Sequence, residues 1–461
     1  MVDESTTYFR KKITSVESKP CRGWGAATLK LLLVKKASCT SSGRLRVTLN
    51  VLLLPTFYLC PGKSYKAPHY PLRCSILSVI TTEFPPPAAT TKLPYYASLT
   101  GVRAVAALLV FITHFNPFEK SQGTHRWAYT FLHQGHFGVP IFFVLSGFLI
   151  TARYRHSVQF SWAWARKYMQ NRVARIFPLY FLLTALTFAA YQFSPRLDPL
   201  GTWAAFQPID KWAVVTLNFT MLRGFFASYF FTGISQGWSL TAEETFYVLA
   251  PFILMSTRRH ARRLVLWAVG LLAVGLALVA LFSPFSYPLR GLFGSVEFMY
   301  QWTFFGHSLE FVLGIALAFF IGREGPRTRK GGWATYGGIA WILASAAFIA
   351  TQTVLQAPLA PEHLKILTMN YLLPGGICSL FYGLLCEQTV VRWVLETKAL
   401  EVLGKCSYAF YLVHLGVFST WLQHLGTPML VNLAITIVLS MGLYYFVEEP
   451  LQLRLRAKRA Q

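Results

Sequence analysis

The chain has 461 residues, 54% of them hydrophobic, 16% aromatic and only 13% charged, and its apolar residues gather in repeated runs of about membrane-spanning length. That composition excludes a soluble multidomain protein. The formal charge of +25 does not point to nucleic acid either, because from residue 97 onward the basic residues sit in short segments between apolar runs, where the positive-inside effect puts them.

Residues 1–94 differ from the rest. They hold 14 Lys and Arg against 4 acidic residues, four of the seven cysteines and the run Pro85 to Pro87. Their longest apolar run, Val47 to Cys60, includes Asn50 and Pro55 and is too short for a span. We expect a disordered or mis-called N-terminal extension, without metal-ligand spacing among Cys21, Cys39, Cys60 and Cys74.

From Ala97 onward the pattern predicts an all-α, polytopic transmembrane helical bundle, residues 95–453, followed by a basic tail, 454–461. Ten spans are expected: 97–116, 137–152, 175–193, 239–256, 264–283, 302–321, 334–353, 369–386, 406–424 and 429–447. The segment Trp212 to Phe226 would make eleven, but Asn218 and Arg223 interrupt it, so it reads as re-entrant or interfacial. With the first span leaving the cytoplasm, the clusters at Arg153 to Arg172, Arg258 to Arg263, Arg323 to Lys330 and Arg454 to Arg459 all fall on one side. Both termini are then cytoplasmic.

Polar residues within this apolar frame carry the chemistry. Arg103 and His114 are eleven residues apart in the first span, about three turns, so they share one helix face at a separation of roughly 16 Å. Ionisable groups at membrane depth usually face a bundle interior or an aqueous cavity. The plainer alternative is Arg103 snorkelling to headgroups and His114 hydrogen-bonded in the core.

In Q-G-W-S-L-T-A-E-E-T-F-Y, Thr241 and Glu244 have capping-box spacing, which leaves Glu243 unexplained by helix termination. Glu243 is expected to meet His114 at the outer face, fixing its tautomer for acid–base work. Arg172 and Arg175 fit either positive-inside anchoring or phosphate binding. Ser146 beside Gly147 reads as close helix packing, and no G-x-S-x-G elbow makes it a nucleophile. His307 and Glu310 have the spacing of a pair on one helix face, with too few ligands for a metal site. His414 reads as a packed core histidine, and Glu448 and Glu449 as a cap facing Arg454.

These stretches, taken together, resemble one family. L-T-G-V-R-A-V-A-A-L-L-V-F-I-T-H resembles the R-x10-H first helix of the acyltransferase 3 membrane family. G-V-P-I-F-F-V-L-S-G-F-L-I, R-V-A-R-I-F-P-L-Y, W-S-L-T-A-E-E-T-F-Y, L-G-K-C-S-Y-A-F-Y-L-V-H and F-V-E-E-P-L resemble its later motifs in the same order. The resemblance implies a bacterial inner-membrane enzyme moving an acyl group, commonly acetyl, from cytoplasmic acyl-CoA to a hydroxyl of a saccharide or lipid-linked glycan. Acyl-CoA is then the donor substrate, with no bound cofactor and no metal. Arg103, His114 and Glu243 match the family's functional residues, and Arg172, Arg175, Trp238, Ser239 and Tyr247 are candidates for substrate or acyl-CoA binding. The family often has arginine near the position of His307. A transporter or exporter of a glycan is the alternative, since intramembrane charges also line substrate pathways.

Overall fold

The computed structural model describes residues 12–15, 28–39, 45–56, 95–118, 125–258, 260–324, 330–355 and 361–457. Two compact units divide the chain, Met1–Leu93 and Pro94–Gln461. In the first, the strands β1 (Lys12–Ser15), β2 (Thr28–Cys39) and β3 (Leu45–Thr56) pair antiparallel in that order, with Thr28 opposite Thr56 and Cys39 opposite Leu45. Other expectations for residues 1–94 lie outside the described residues.

The second unit is helical. It opens with α1 (Ala97–His114), α2 (His125–His133), α3 (Gly138–Tyr154) and α4 (Trp162–Phe193). A short α5 (Pro208–Phe219) leads to α6 (Trp238–Thr257), α7 (Arg263–Phe282), α8 (Val296–Trp302) and α9 (Ser308–Glu324). Then come α10 (Trp333–Leu355), α11 (Pro361–Leu367), α12 (Leu373–Cys386), α13 (Val390–Leu395) and α14 (Lys398–Val413). The last three are α15 (Val417–His424), α16 (Met429–Leu443) and α17 (Glu449–Leu455).

Each of the ten expected spans falls on a helix. Among the described residues seven helical segments are long and apolar enough to cross a membrane, and eight if α14 and α15, bent by 77° at the break, form one span. The remaining two, α6 and α9, fall short for visible reasons. The apolar part of α9 is only Ser308–Gly322, and α6 carries two adjacent carboxylates, Glu243 and Glu244. The segment from Trp212 is not one helix: α5 ends at Phe219, Met221 takes φ 56, and a single 3-10 turn follows at Arg223–Phe225.

Helix α3 is the centre of the packing. One face, with Phe143 and Ile150, joins a core containing Trp238, Phe246 and Phe311, while Val144 and Phe148 join a second core with Leu99, Ile377 and Phe381. It crosses α9 at two glycines. Gly147 lies against the carbonyl of Phe311 and Gly314 against the carbonyl of Val144, so a methyl group at either would overlap backbone. Small residues permit this approach, and dispersion between the two backbones then holds the crossing.

The segments between α4 and α6 and between α7 and α8 are tied together outside the apolar helices. Arg290 pairs with Asp210 at 2.8 Å, Tyr229 Oη donates to the same carboxylate at 2.7 Å, and Phe226 bridges Leu292. Burial, together with the Asp210 carboxylate, pushes the Tyr229 phenol up to about 12, so it stays a donor.

Candidate functional site

The polar residues of the apolar helices gather in two clusters, linked by α1. The first surrounds Arg103. On α6, Glu243 and Tyr247 stand one turn apart, and the Tyr247 hydroxyl donates to Glu243 Oε1. Ser146 Oγ of α3 donates to the same oxygen at 2.5 Å. From α4, the buried Arg172 donates through Nη2 to Tyr154 Oη at 3.2 Å, and its guanidinium lies 5.5 Å from the Tyr154 ring centroid and 5.6 Å from that of Tyr247. Its Nε has no partner. Arg103 is half-buried and feels the fields of Arg175, Glu448, Glu243 and Tyr247. Glu448 is therefore not a terminal cap for Arg454. A π turn at Tyr444–Glu448 brings it into the bundle, where it is buried with Oε2 unpaired and acted on by Arg175 and Arg103.

The second cluster lies at the other end of α1. His114 is exposed, and its ring centroid stands 5.5 Å from that of His414. His414 is only 1% exposed. Its Nδ1 lies 2.8 Å from the Tyr411 carbonyl, so Nδ1 carries the proton and donates there. In the neutral ring Nε2 is then a bare lone pair, and it is buried without a partner. His414 is thus the packed, hydrogen-bonded histidine that the sequence predicts, with its second nitrogen buried and unpaired among the described residues.

A hydrogen-bonded seam positions His414 against α6. Gln236 Nε2 donates to the carbonyls of Tyr411 and Leu412, both at 2.7 Å, capping the end of α14. Tyr411 Oη donates to the Gln236 carbonyl at 3.1 Å and lies 2.7 Å from Ser239 Oγ. Ser239 thus meets the seam, and Trp238 stacks edge-on against Trp302 at 4.9 Å, with the ring of His307 at 5.8 Å. The expected pair of His307 and Glu310 forms. Nδ1 sits 3.0 and 3.1 Å from the two Glu310 oxygens and Nε2 2.9 Å from the Gln301 carbonyl. Nε2 must donate to the carbonyl, and Nδ1 is held against the Glu310 carboxyl group.

Two expectations need correction. Glu243 does not pair with His114, because α6 begins at Trp238 and places Glu243 more than a turn inside the bundle, where its hydrogen-bond partners are Ser146 and Tyr247. Thr241 does not build a capping box with Glu244 for the same reason. Its hydroxyl donates to the Met221 carbonyl at 2.5 Å and accepts from the Gly224 amide at 3.2 Å, leaving Glu244 Oε1 buried and unpaired. Ser146 was missed as a site residue, since its packing neighbour Gly147 accounts for the motif without it.

A bundle of apolar helices, several of them long enough to cross a membrane, with guanidinium, carboxylate and imidazole groups held inside it, defines an integral membrane protein. The family model described as "Acyltransferase domain" matches residues 96–448, and the chain belongs to this acyltransferase 3 family. It is 29% identical over 404 residues to "Acyltransferase MdmB" of Streptomyces mycarofaciens, covering 79% of this chain and 92% of that protein. It is 24% identical over 391 residues to a Staphylococcus aureus protein named "Putative O-acetyltransferase", and 25% identical over 379 residues to "Putative peptidoglycan O-acetyltransferase YrhL" of Bacillus subtilis. Both matches cover 78% of this chain, and the chain spans 58% and 55% of those two proteins. No solved structure matches.

Proposed function

We propose that the protein is a bacterial inner-membrane O-acyltransferase that moves an acyl group, acetyl in the simplest case, from cytoplasmic acyl-CoA to a hydroxyl of a saccharide or lipid-linked glycan. The observation that carries this reading is the arrangement along α1, which sets Arg103 near Arg175 and the carboxylates of Glu243 and Glu448 at one end and His114 beside a second histidine at the other, about 16 Å away. The names of the relatives in Streptomyces, Staphylococcus and Bacillus agree with acyl transfer to oxygen.

In this reading Arg172 and Arg175 attract the anionic donor and Arg103 stands on its path toward the outer end. His114 takes the proton of the acceptor hydroxyl as its oxygen attacks the thioester carbonyl. The carbon–sulfur bond breaks and the thiolate of CoA leaves. General-base help of this kind is worth about 10²- to 10⁴-fold. Glu243, held by Ser146 and Tyr247, balances Arg103 and does not touch the base. The basic segments on one side of the bundle support cytoplasmic termini.

The test uses purified protein in nanodiscs with radiolabelled acetyl-CoA and candidate glycans. Label should pass to the glycan with the wild type and fall by about 100-fold or more in His114→Ala. Movement of unmodified glycan across vesicles, with no label transfer, would instead identify a transporter.

A further inference from the structure

At the basic side of the bundle, the start of α4 and the end of α17 flank an open hollow of about 440 Å³ lined by Arg166, Lys167, Gln170, Arg454 and Arg456 with two alanines. Its floor is tied: Gln170 Nε2 donates to the Leu455 carbonyl at 3.0 Å, which fixes the end of α17 against α4. Four cations thus face one concavity, and none has a carboxylate partner among the described residues. Positive-inside bias accounts for basic residues on this side, but not for four of them converging on one hollow held by a hydrogen bond. Like charges so placed repel one another, and a polyanion would relieve that repulsion.

Further guanidinium groups lie between this hollow and Arg103. Arg456 acts on Arg153, which feels Arg172 and Arg175 as well, and Arg175 acts in turn on Arg103. Arg166 and Arg175 are nine residues apart on α4, about 13 Å of helix axis. Guanidinium groups thus stand at intervals between this hollow and the first cluster of the site.

We propose that the cavity is a phosphoester subsite that takes the 3′-phosphorylated adenosine diphosphate end of the acyl-CoA donor while its thioester arm extends inward past those guanidinium groups. The proposal rests on the donor assigned above and adds a place for its nucleotide. Guanidinium groups suit phosphate oxygens through paired N–H donors, and their convergence from two helices suits more than one phosphate. An anionic lipid headgroup shares this chemistry, and the experiment separates the two sources.

The full chain in nanodiscs of zwitterionic lipid is titrated with adenosine 3′,5′-bisphosphate by calorimetry. Wild-type protein should bind it, and the double variant Arg454→Gln/Arg456→Gln should bind at least about tenfold more weakly, the scale of two lost guanidinium–phosphate contacts. Arg454→Lys/Arg456→Lys should keep most of the affinity, which excludes simple misfolding as the cause. Equal binding by all three proteins would overturn the proposal. So would an unchanged nucleotide affinity in the glutamine variant coupled to loss of phosphatidylglycerol enrichment, which would give the cavity to lipid. Binding is read without turnover, so a protein that binds the bisphosphate yet transfers no acyl group would contradict the transferase reading and leave this subsite standing.

Discussion

At the scale of single residues, the site turns on which polar groups are satisfied. Glu243 accepts from Ser146 and Tyr247 and balances Arg103, whereas His414 donates from Nδ1 and leaves Nε2 bare within 5.5 Å, ring to ring, of His114. A buried acceptor without a donor costs free energy, so its retention beside the proposed base points to use in the reaction. His414→Phe keeps the ring's bulk and removes both nitrogens. It should lower the rate of label transfer by about 10-fold or more through lost placement of His114, while KM for acetyl-CoA changes little. Unchanged kcat in this variant would return His414 to a packing role. The misfits Arg103, His114 and Glu243 were legible because charge in an apolar run needs a reason. The partner of Glu243 was not, since the depth of α6 relative to α1 depends on where α6 starts, and a tryptophan at that start carries no capping signal.

At the scale of elements, hydropathy placed the ten expected spans on helical segments but did not show how those segments break. The 77° bend between α14 and α15 sits at Gly416, whose φ of 97 suits glycine, and that bend ends α14 at the histidine. The crossing of α3 and α9 is another feature that a single segment cannot show, because Gly147 and Gly314 matter only once the two helices are paired. Gly147→Ala places a methyl against the Phe311 carbonyl and must separate the helices. We expect a loss of about 1–3 kcal/mol, read as a lower melting temperature in detergent, and a larger loss of transfer activity because the neighbouring Ser146 would leave Glu243. An unaltered melting temperature would mean that the crossing is looser than described.

At the scale of the whole molecule, the proposed function gives different ends of one bundle to donor and acceptor. The basic hollow, the guanidinium groups of α4 and Arg103 lead inward from one side, and the histidine pair closes the path at the other end of α1. The basic segments carry the expectation of sidedness, whereas the nearness of residues distant in sequence, such as Arg153 and Arg456, emerges only in the folded bundle. The direct test is transfer in proteoliposomes of uniform orientation, with radiolabelled acetyl-CoA supplied to one face at a time and glycan present on both. Label transfer is expected only when acetyl-CoA reaches the face bearing Arg166 and Arg454, and it should be lost in His114→Ala. Equal transfer from donor on either face, or near-normal transfer by His114→Ala, would contradict the proposed function.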